Sequence, residues 1–340
     1  MTAGTLPATR LAIGPRIAGV VARQRELSLV AVIALLCIFV TLQKPDFLSQ
    51  SNLTSLTVAA SIIAIAAVGQ AIVIITKNVD LSVEAMIGLV AFCVADLLKF
   101  HVLDAPAAML TGVLIGTLLG AINGAIIVLL RVPAIVATLA TLSIYRGIDF
   151  LIAGGKQVSL GNLPPGYTDP ARTMIGPIPL FVLIALAIVV VVAFVMRQTR
   201  GGRRVYAVGS NLDAATILGI RSGLVLFAAF TICGLMAGIA GVMWGIFYGT
   251  VNATSASNVT LAVVAAAVVG GVNIAGGTGS VVGAALGALF LGLISRALLI
   301  LNYPQFWLQA IYGAVILISV TLDAYLVSRL KRSASGGRRR

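Results

Sequence analysis

Few residues in this 340-residue chain could do chemistry, and they are thinly spread. Asp80 and Glu84 stand at the end of one apolar run, Asp149 near the end of another, and Asp96 and Asp323 near run ends. Carboxylates deep in a membrane bundle are the groups that relay protons or couple ions, and these five are a sparse set for that task. Arg146 precedes Asp149 by three residues, so on a helix the two share a face and either neutralise each other or line a path. Asn123 lies beside Gly124, where it suits an interhelical hydrogen bond or a solute contact. Cys37, Cys93 and Cys233 lie inside apolar runs and read as small hydrophobes. His101, the single histidine, has no second histidine or cysteine near it to build a metal site. The nearest approach to a phosphate-binding loop, Gly154-Gly155-Lys156-Gln157, lacks the hydroxyl that would hold magnesium. The expectation is a chain without catalytic or metal-binding residues that does not itself hydrolyse ATP.

The elements that must position these residues are membrane helices. Hydrophobic residues make up 60% of the chain, charged residues 10%, and mean hydropathy is +1.10, against roughly 25% charged residues in soluble domains. A water-soluble globule is excluded. Apolar runs bounded by polar or proline-containing breaks fall at about 27–42, 53–76, 79–98, 107–130, 134–153, 177–196, 222–248, 259–272, 280–301 and 305–327. Spans need about 20 residues, so the first and eighth are short. The reading is an all-α polytopic membrane protein of about ten transmembrane helices: a tail at 1–26, a membrane domain at 27–328 and a basic tail at 329–340.

Charge orients it. With the N-terminus inside, the tails, Lys77, Arg131 and the 197–221 break place seventeen basic residues on one side, against Lys44, Lys99, Lys156 and Arg172 on the other. Basic residues gather in cytoplasmic loops, so both termini are expected in the cytoplasm, and the net charge of +13 needs no nucleic acid. The run at 27–42 leads into Gln43-Lys44-Pro45 without a small-residue cleavage site, so it reads as the first span rather than a signal peptide.

Gly112, Gly116, Gly120 and Gly124 recur every fourth residue and form one ridge, which lets a neighbouring backbone come close. The fourth run is therefore expected to be a central, tightly packed helix. Gly234, Gly238, Gly241, Gly245 and Gly249 make a second ridge in the seventh run. Segment 82–92 echoes 280–290, and 120–133 echoes 292–304; the two echoes demand opposite orientations, so no repeat is read from them. Phe306 and Trp307 fit an interfacial anchor or a sugar-stacking platform.

The long break at 197–221 holds a short helix. Asn211 can cap a helix starting at Leu212 or Asp213, Asp213 suits its positive end, and Gly219 can end it. Asp213-Ala214-Ala215 with Gly219 is similar to the EAA-type loop of ABC-transporter permeases, and 206–211, Tyr-Ala-Val-Gly-Ser-Asn, resembles the lead-in of the ribose, xylose and rhamnose group of monosaccharide importers. Asp80-Leu81-Ser82-Val83, 133–139 with 143–147, and Gly270-Gly271 with 276–280 resemble further family motifs in the same order. The chain departs where the family has Gly-Gly-Ile, with Lys77-Asn78-Val79; where it has Gly, with Glu84; and where it has Arg, with Thr278. No particular sugar is implied.

The resemblance implies a type II ABC importer-like permease bundle in the bacterial inner membrane. It would import a small polar solute, most naturally a monosaccharide, with an ATPase subunit carrying ATP and magnesium, a second permease subunit, an extracytoplasmic solute-binding protein, and membrane lipid around it. Arg203, Tyr206, Asn211, Asp213, Ala214, Ala215 and Gly219 would couple to the ATPase, with Ala215 entering its cleft. Asp80, Ser82, Glu84, Asn123, Thr138, Tyr145, Arg146 and Asp149 are the candidate translocation path. The alternative is a self-sufficient ion-coupled carrier.

Overall fold

The computed structural model describes the backbone of residues 15–336 and the side chains of residues 26–321. Side chains of most of the 1–26 tail and of all of the 329–340 tail therefore lie outside the described residues. Thirteen helices follow in order: α1 (Pro15–Gln43), α2 (Gln50–Ile75), α3 (Val83–Lys99), α4 (Ala105–Leu129), α5 (Ala134–Ala153), the short α6 (Asp169–Arg172), α7 (Leu180–Gln198), α8 (Arg200–Ser210), α9 (Leu212–Ile217), α10 (Ser222–Tyr248), α11 (Val259–Val269), α12 (Val281–Ile300) and α13 (Trp307–Gly336). A two-residue hairpin, β1 (Met174–Ile175) and β2 (Ile178–Pro179), precedes α7. Among the described residues seven helices are long and apolar enough to cross a membrane: the apolar part of α1, α2, α4, α5, α7, α10 and α12. The other three apolar runs fold as α3, α11 and the start of α13.

Glycine dictates the tightest seam. A Cβ at Gly116 would stand 2.4 Å from the Gly238 Cα, and one at Gly120 would stand 2.4 Å from the Phe230 carbonyl, so α4 and α10 touch backbone to backbone. The ridge expected on α4 exists and faces Gly234 and Gly238 of α10, whereas Gly241 turns to α3 and Gly245 to Tyr167. The expectation that α4 is central is corrected. Its opposite face, with Leu110, Leu114 and Leu118, is exposed, and the enclosed helix is α2, whose apolar window is 89% buried.

The packing repeats itself. α2 lies on α12 as α10 lies on α4, α3 on α5 as α11 on α13, and α3 on α4 as α11 on α12. α2 ends, and α10 begins, at the face occupied by α8 and α9, so α2–α5 and α10–α13 run in opposite senses, the arrangement of an inverted repeat. Of the two sequence echoes, 120–133 with 292–304 matches this pairing, since both join the third helix of a half to its last. The other, 82–92 with 280–290, only reflects two serines that precede helices.

In each half a long helix is followed by a non-helical stretch and then a short helix. At 1.5 Å per residue α2 and α10 are about 40 Å long, α3 about 25 Å and α11 about 16 Å. Residues 77–82 lead from the α8 face into the bundle before α3 starts, and 250–258 lead in from the opposite face, where Val251 pairs with Val158, before α11 starts. The two short helices thus begin inside the bundle and meet by their first turns.

Candidate translocation site and coupling face

At that meeting point the Glu84 backbone N–H donates to Thr260 Oγ1 at 3.1 Å, and the Thr260 N–H donates to Glu84 Oε2 at 3.4 Å. Thr260 also donates to the Leu81 carbonyl at 3.2 Å. Each of these helices begins with N–H groups that lack helical partners, and here side chains of the opposite helix supply them. Arg146 of α5 closes the cluster, donating to Glu84 Oε1 at 2.7 Å and to Ser257 Oγ at 3.0 Å. Its side chain is 26% exposed and that of Glu84 14%. A charged pair of this kind, among backbone donors and hydroxyls, can bind a polar solute or hold a passage shut.

Arg146 therefore neutralises Glu84, and the Arg146–Asp149 pairing weighed from their spacing is not formed. Asp149 is buried, its Oδ1 has no hydrogen-bond partner, and Oδ2 faces Gly88 of α3. Asp80, Ser82, Asn123 and Tyr145 form a separate, enclosed network. The Asp80 carboxylate accepts from the Ser82 N–H at 2.9 Å, from Ser82 Oγ at 2.7 Å and from Asn123 Nδ2 at 3.3 Å. Asn123 also donates to Ser82 Oγ at 2.8 Å, and the Tyr145 hydroxyl lies 3.0 Å from both Asn123 Oδ1 and the Leu119 carbonyl. Thr138 beside it spends its hydroxyl on the Ala134 carbonyl at 2.8 Å. All five side chains are nearly or fully buried, so in this conformation they lock 77–82 to α4 and α5 rather than line an open path.

Sequence reasoning missed Gln70, Ser257 and Thr260. Gln70, with its amide nitrogen toward the Asp80 carbonyl, pairs with the Asp80 backbone on both sides at 3.3 and 3.1 Å. It is the only strongly polar side chain in the latter part of α2, and that isolation was a usable signal. It also missed α8, left inside the 197–221 break because three glycines and three arginines obscure its helical pattern.

α8 is fixed to an inter-helix stretch of each half, after α2 and before α12. A Cβ at Gly209 would fall 1.7 Å from the Ile75 carbonyl, so only glycine lets α8 seat there. Lys77 donates to the Ser210 carbonyl at 3.1 Å, Gly277 N–H to the Ile75 carbonyl at 2.9 Å, and Tyr206 OH to the Gly279 carbonyl at 3.0 Å. Burial raises the Tyr206 pKa above the ordinary phenol value, keeping the hydroxyl a donor. Arg203 donates to the Gln198 carbonyl at the start of the helix. Motion of α8 must therefore pull on 75–77, which lead directly to Asp80 and Glu84.

α9 follows as the spacing requires. Asn211 caps it, accepting from the Ala214 N–H at 3.0 Å; Asp213 is in its first turn; Gly219 beyond it takes φ +78°. Ala215, expected to enter a partner, is instead buried against its own chain at 2% exposure. The helix turns outward Leu212, Ile217 and Leu218, the last two 85% and 79% exposed. Ile217, two residues beyond 215, falls on the opposite side of the helix, while Leu212 and Leu218 flank 215 at the edges of the exposed surface, which the motif alone does not reveal.

Residues 52–320 match the family described as the permease component of the branched-chain amino acid transport system. The chain belongs to this permease family. It is similar to proteins named autoinducer 2 import system permease protein LsrC. Identity is 38% with that of Enterobacter sp. (strain 638) over 91% of this chain and 90% of the relative. With that of Salmonella typhi it is 34% over 89% and 87%, and with that of Escherichia coli O9:H4 (strain HS) 32% over 91% and 90%. No solved structure matches. The permease is a multi-pass membrane transport component, and the likeness spans the whole helical bundle.

Proposed function

We propose that the permease is the membrane subunit of an ATP-driven, binding-protein-dependent importer of a small polar solute, a monosaccharide or a sugar-like molecule such as the autoinducer 2 for which its relatives are named. Both termini and the 197–221 loop lie in the cytoplasm, as the basic residues favour. Two permease subunits form the pathway. An ATPase subunit, which holds ATP and magnesium, docks on the outward face of α9, where Leu212, Ile217 and Leu218 offer an apolar surface outside the bilayer. An extracytoplasmic binding protein delivers solute to the opposite face.

The observation that carries this reading is the continuous linkage from α9 through α8 to Ile75 and Lys77, and from there into the non-helical stretch that ends at Glu84. Closure of the ATPase pushes α9 and α8. The shift is transmitted to 75–82, and the Glu84–Arg146 pair with Ser257 and Thr260 opens or closes the passage. Hydroxyls and a charged pair suit a polyol, which offers several donors and acceptors at once. Membership of the permease family favours this over an ion-coupled carrier, and Asp149 alone is poor support for a proton relay.

Reconstitution with and without the ATPase subunit tests it. Uptake of radiolabelled ribose, xylose, rhamnose or autoinducer 2 into liposomes should require ATP on the cytoplasmic side. Uptake by this chain alone under a proton or sodium gradient would establish the carrier instead.

A further inference from the structure

We propose that the cleft between α7 and α10 is a binding site for an anionic phospholipid, phosphatidylglycerol in the test below, whose phosphate is held by Arg204 and Arg221. The proposal needs only that the chain spans a bilayer; it does not depend on which solute is moved. α7 and α10 both lie against α2 with little direct packing between them, which leaves a cleft of about 730 Å³ floored by Ile72. Val192 and Val195 of α7 and Leu224 and Ala228 of α10 wall it, and Val195 and Leu224 remain 41% and 59% exposed. In a bilayer such an apolar cleft fills with hydrocarbon, because water there would find almost no polar partner.

The end of the cleft at the α8 face differs in chemistry. There α8 and the turn into α10 close it, and each contributes an arginine, Arg204 and Arg221, to its lining. Both are exposed, and among the described residues neither guanidinium is in an ion pair. Apolar walls ending at two free guanidinium groups match one ligand: the upper part of an acyl chain in the cleft and a phosphate at its mouth, which arginine engages in forked hydrogen bonds. Basic pockets between membrane helices at the cytoplasmic surface hold anionic headgroups for the same reason. A free phosphate would satisfy the arginines but leave the apolar walls bare. The cleft is also lined by Val205 of α8, so its occupant touches the helix whose Tyr206 and Gly209 grip the rest of the bundle.

Native mass spectrometry of the detergent-purified full chain, titrated with dioleoylphosphatidylglycerol or dioleoylphosphatidylcholine, reads the site directly. The wild type should retain phosphatidylglycerol with about thirtyfold preference, the scale expected of two surface arginines, and millimolar inorganic phosphate should not displace it. Arg204→Gln with Arg221→Gln should abolish the preference. Ala228→Trp, which keeps both charges and fills the cleft, should lower retention of phosphatidylglycerol as well, in protein that elutes as one peak on size exclusion. Equal retention of the two lipids by the wild type, an unchanged preference in the double variant, full retention by Ala228→Trp, or displacement by inorganic phosphate would each overturn the proposal.

Discussion

The halves α2–α5 and α10–α13 share one packing plan and carry different chemistry. In the first, the short helix opens with Glu84, the stretch before it holds Asp80, and α4 and α5 bring Asn123, Tyr145 and Arg146 to them. In the second, α11 opens with Thr260 and holds no charged residue at all, and the stretch before it gives Ser257. Glycine is distributed unevenly too. α4 sets its ridge against α10, whereas α12 presses Gly283 and Gly287 onto the Gly270 and Ala266 carbonyls at the end and in the body of α11. The lesson is that the scaffold is duplicated but the work is not: one half carries charge to the centre, and the other supplies neutral partners and a close brace.

The largest effect should come from the seam that both halves need. Replacing Gly116 and Gly120 together with Leu drives side chains into the backbone of α10, beyond the ~1–3 kcal/mol usual for overpacking. Size-exclusion chromatography should show little monodisperse protein, whereas Gly147→Leu, with nothing within 4 Å of its Cβ, should behave as wild type. A well-folded double variant would mean that the halves do not depend on this contact.

Next comes the enclosed network of the first half. Asn123→Leu strands Asp80 Oδ2, at a cost of about 1–3 kcal/mol, and leaves the Tyr145 hydroxyl the Leu119 carbonyl alone, so thermal unfolding in detergent should shift below wild type. An unshifted transition would show that the network contributes nothing to holding 77–82.

The smallest effects sharpen the contrast at the junction. Glu84→Gln should leave the fold intact and cut uptake about tenfold, since one unit of pairing to a partly buried arginine is lost. Thr260→Val, which removes neutral hydrogen bonds worth about 0.5–1.5 kcal/mol each, should cut it less. If Thr260→Val is the more damaging of the two, the charged half does not dominate and the comparison fails.

Much of this was legible in sequence because periodicity and caps are local. The apolar runs, the four-residue ridge of α4, the Asn211 cap and the Gly219 stop all follow from spacing along one helix. What was not legible depends on which helices meet. Arg146 looked suited to Asp149 on its own helix, but the N-terminus of α3 brings Glu84 closer. Ala215 looked like the docking residue from its motif, but the chain packs that face on itself and leaves Ile217 outward. Asp80 and Glu84, four residues apart, seemed one site; the turn into α3 sends one into an enclosed lock and the other to a half-open cluster.

The central claim is that force from an ATPase enters through the outward face of α9. Ile217→Glu places a charge at a position 85% exposed in this chain, where it costs the isolated permease nothing and would be buried unpaired in an apolar partner cleft. Co-purification of the ATPase subunit with this variant is the direct measurement. The account predicts a membrane-inserted, monodisperse permease that retains less than about a tenth of the wild-type ATPase, in line with the several-kcal/mol cost of an unpaired buried charge, and has lost ATP-dependent uptake. Wild-type amounts of bound ATPase together with undiminished uptake would contradict it.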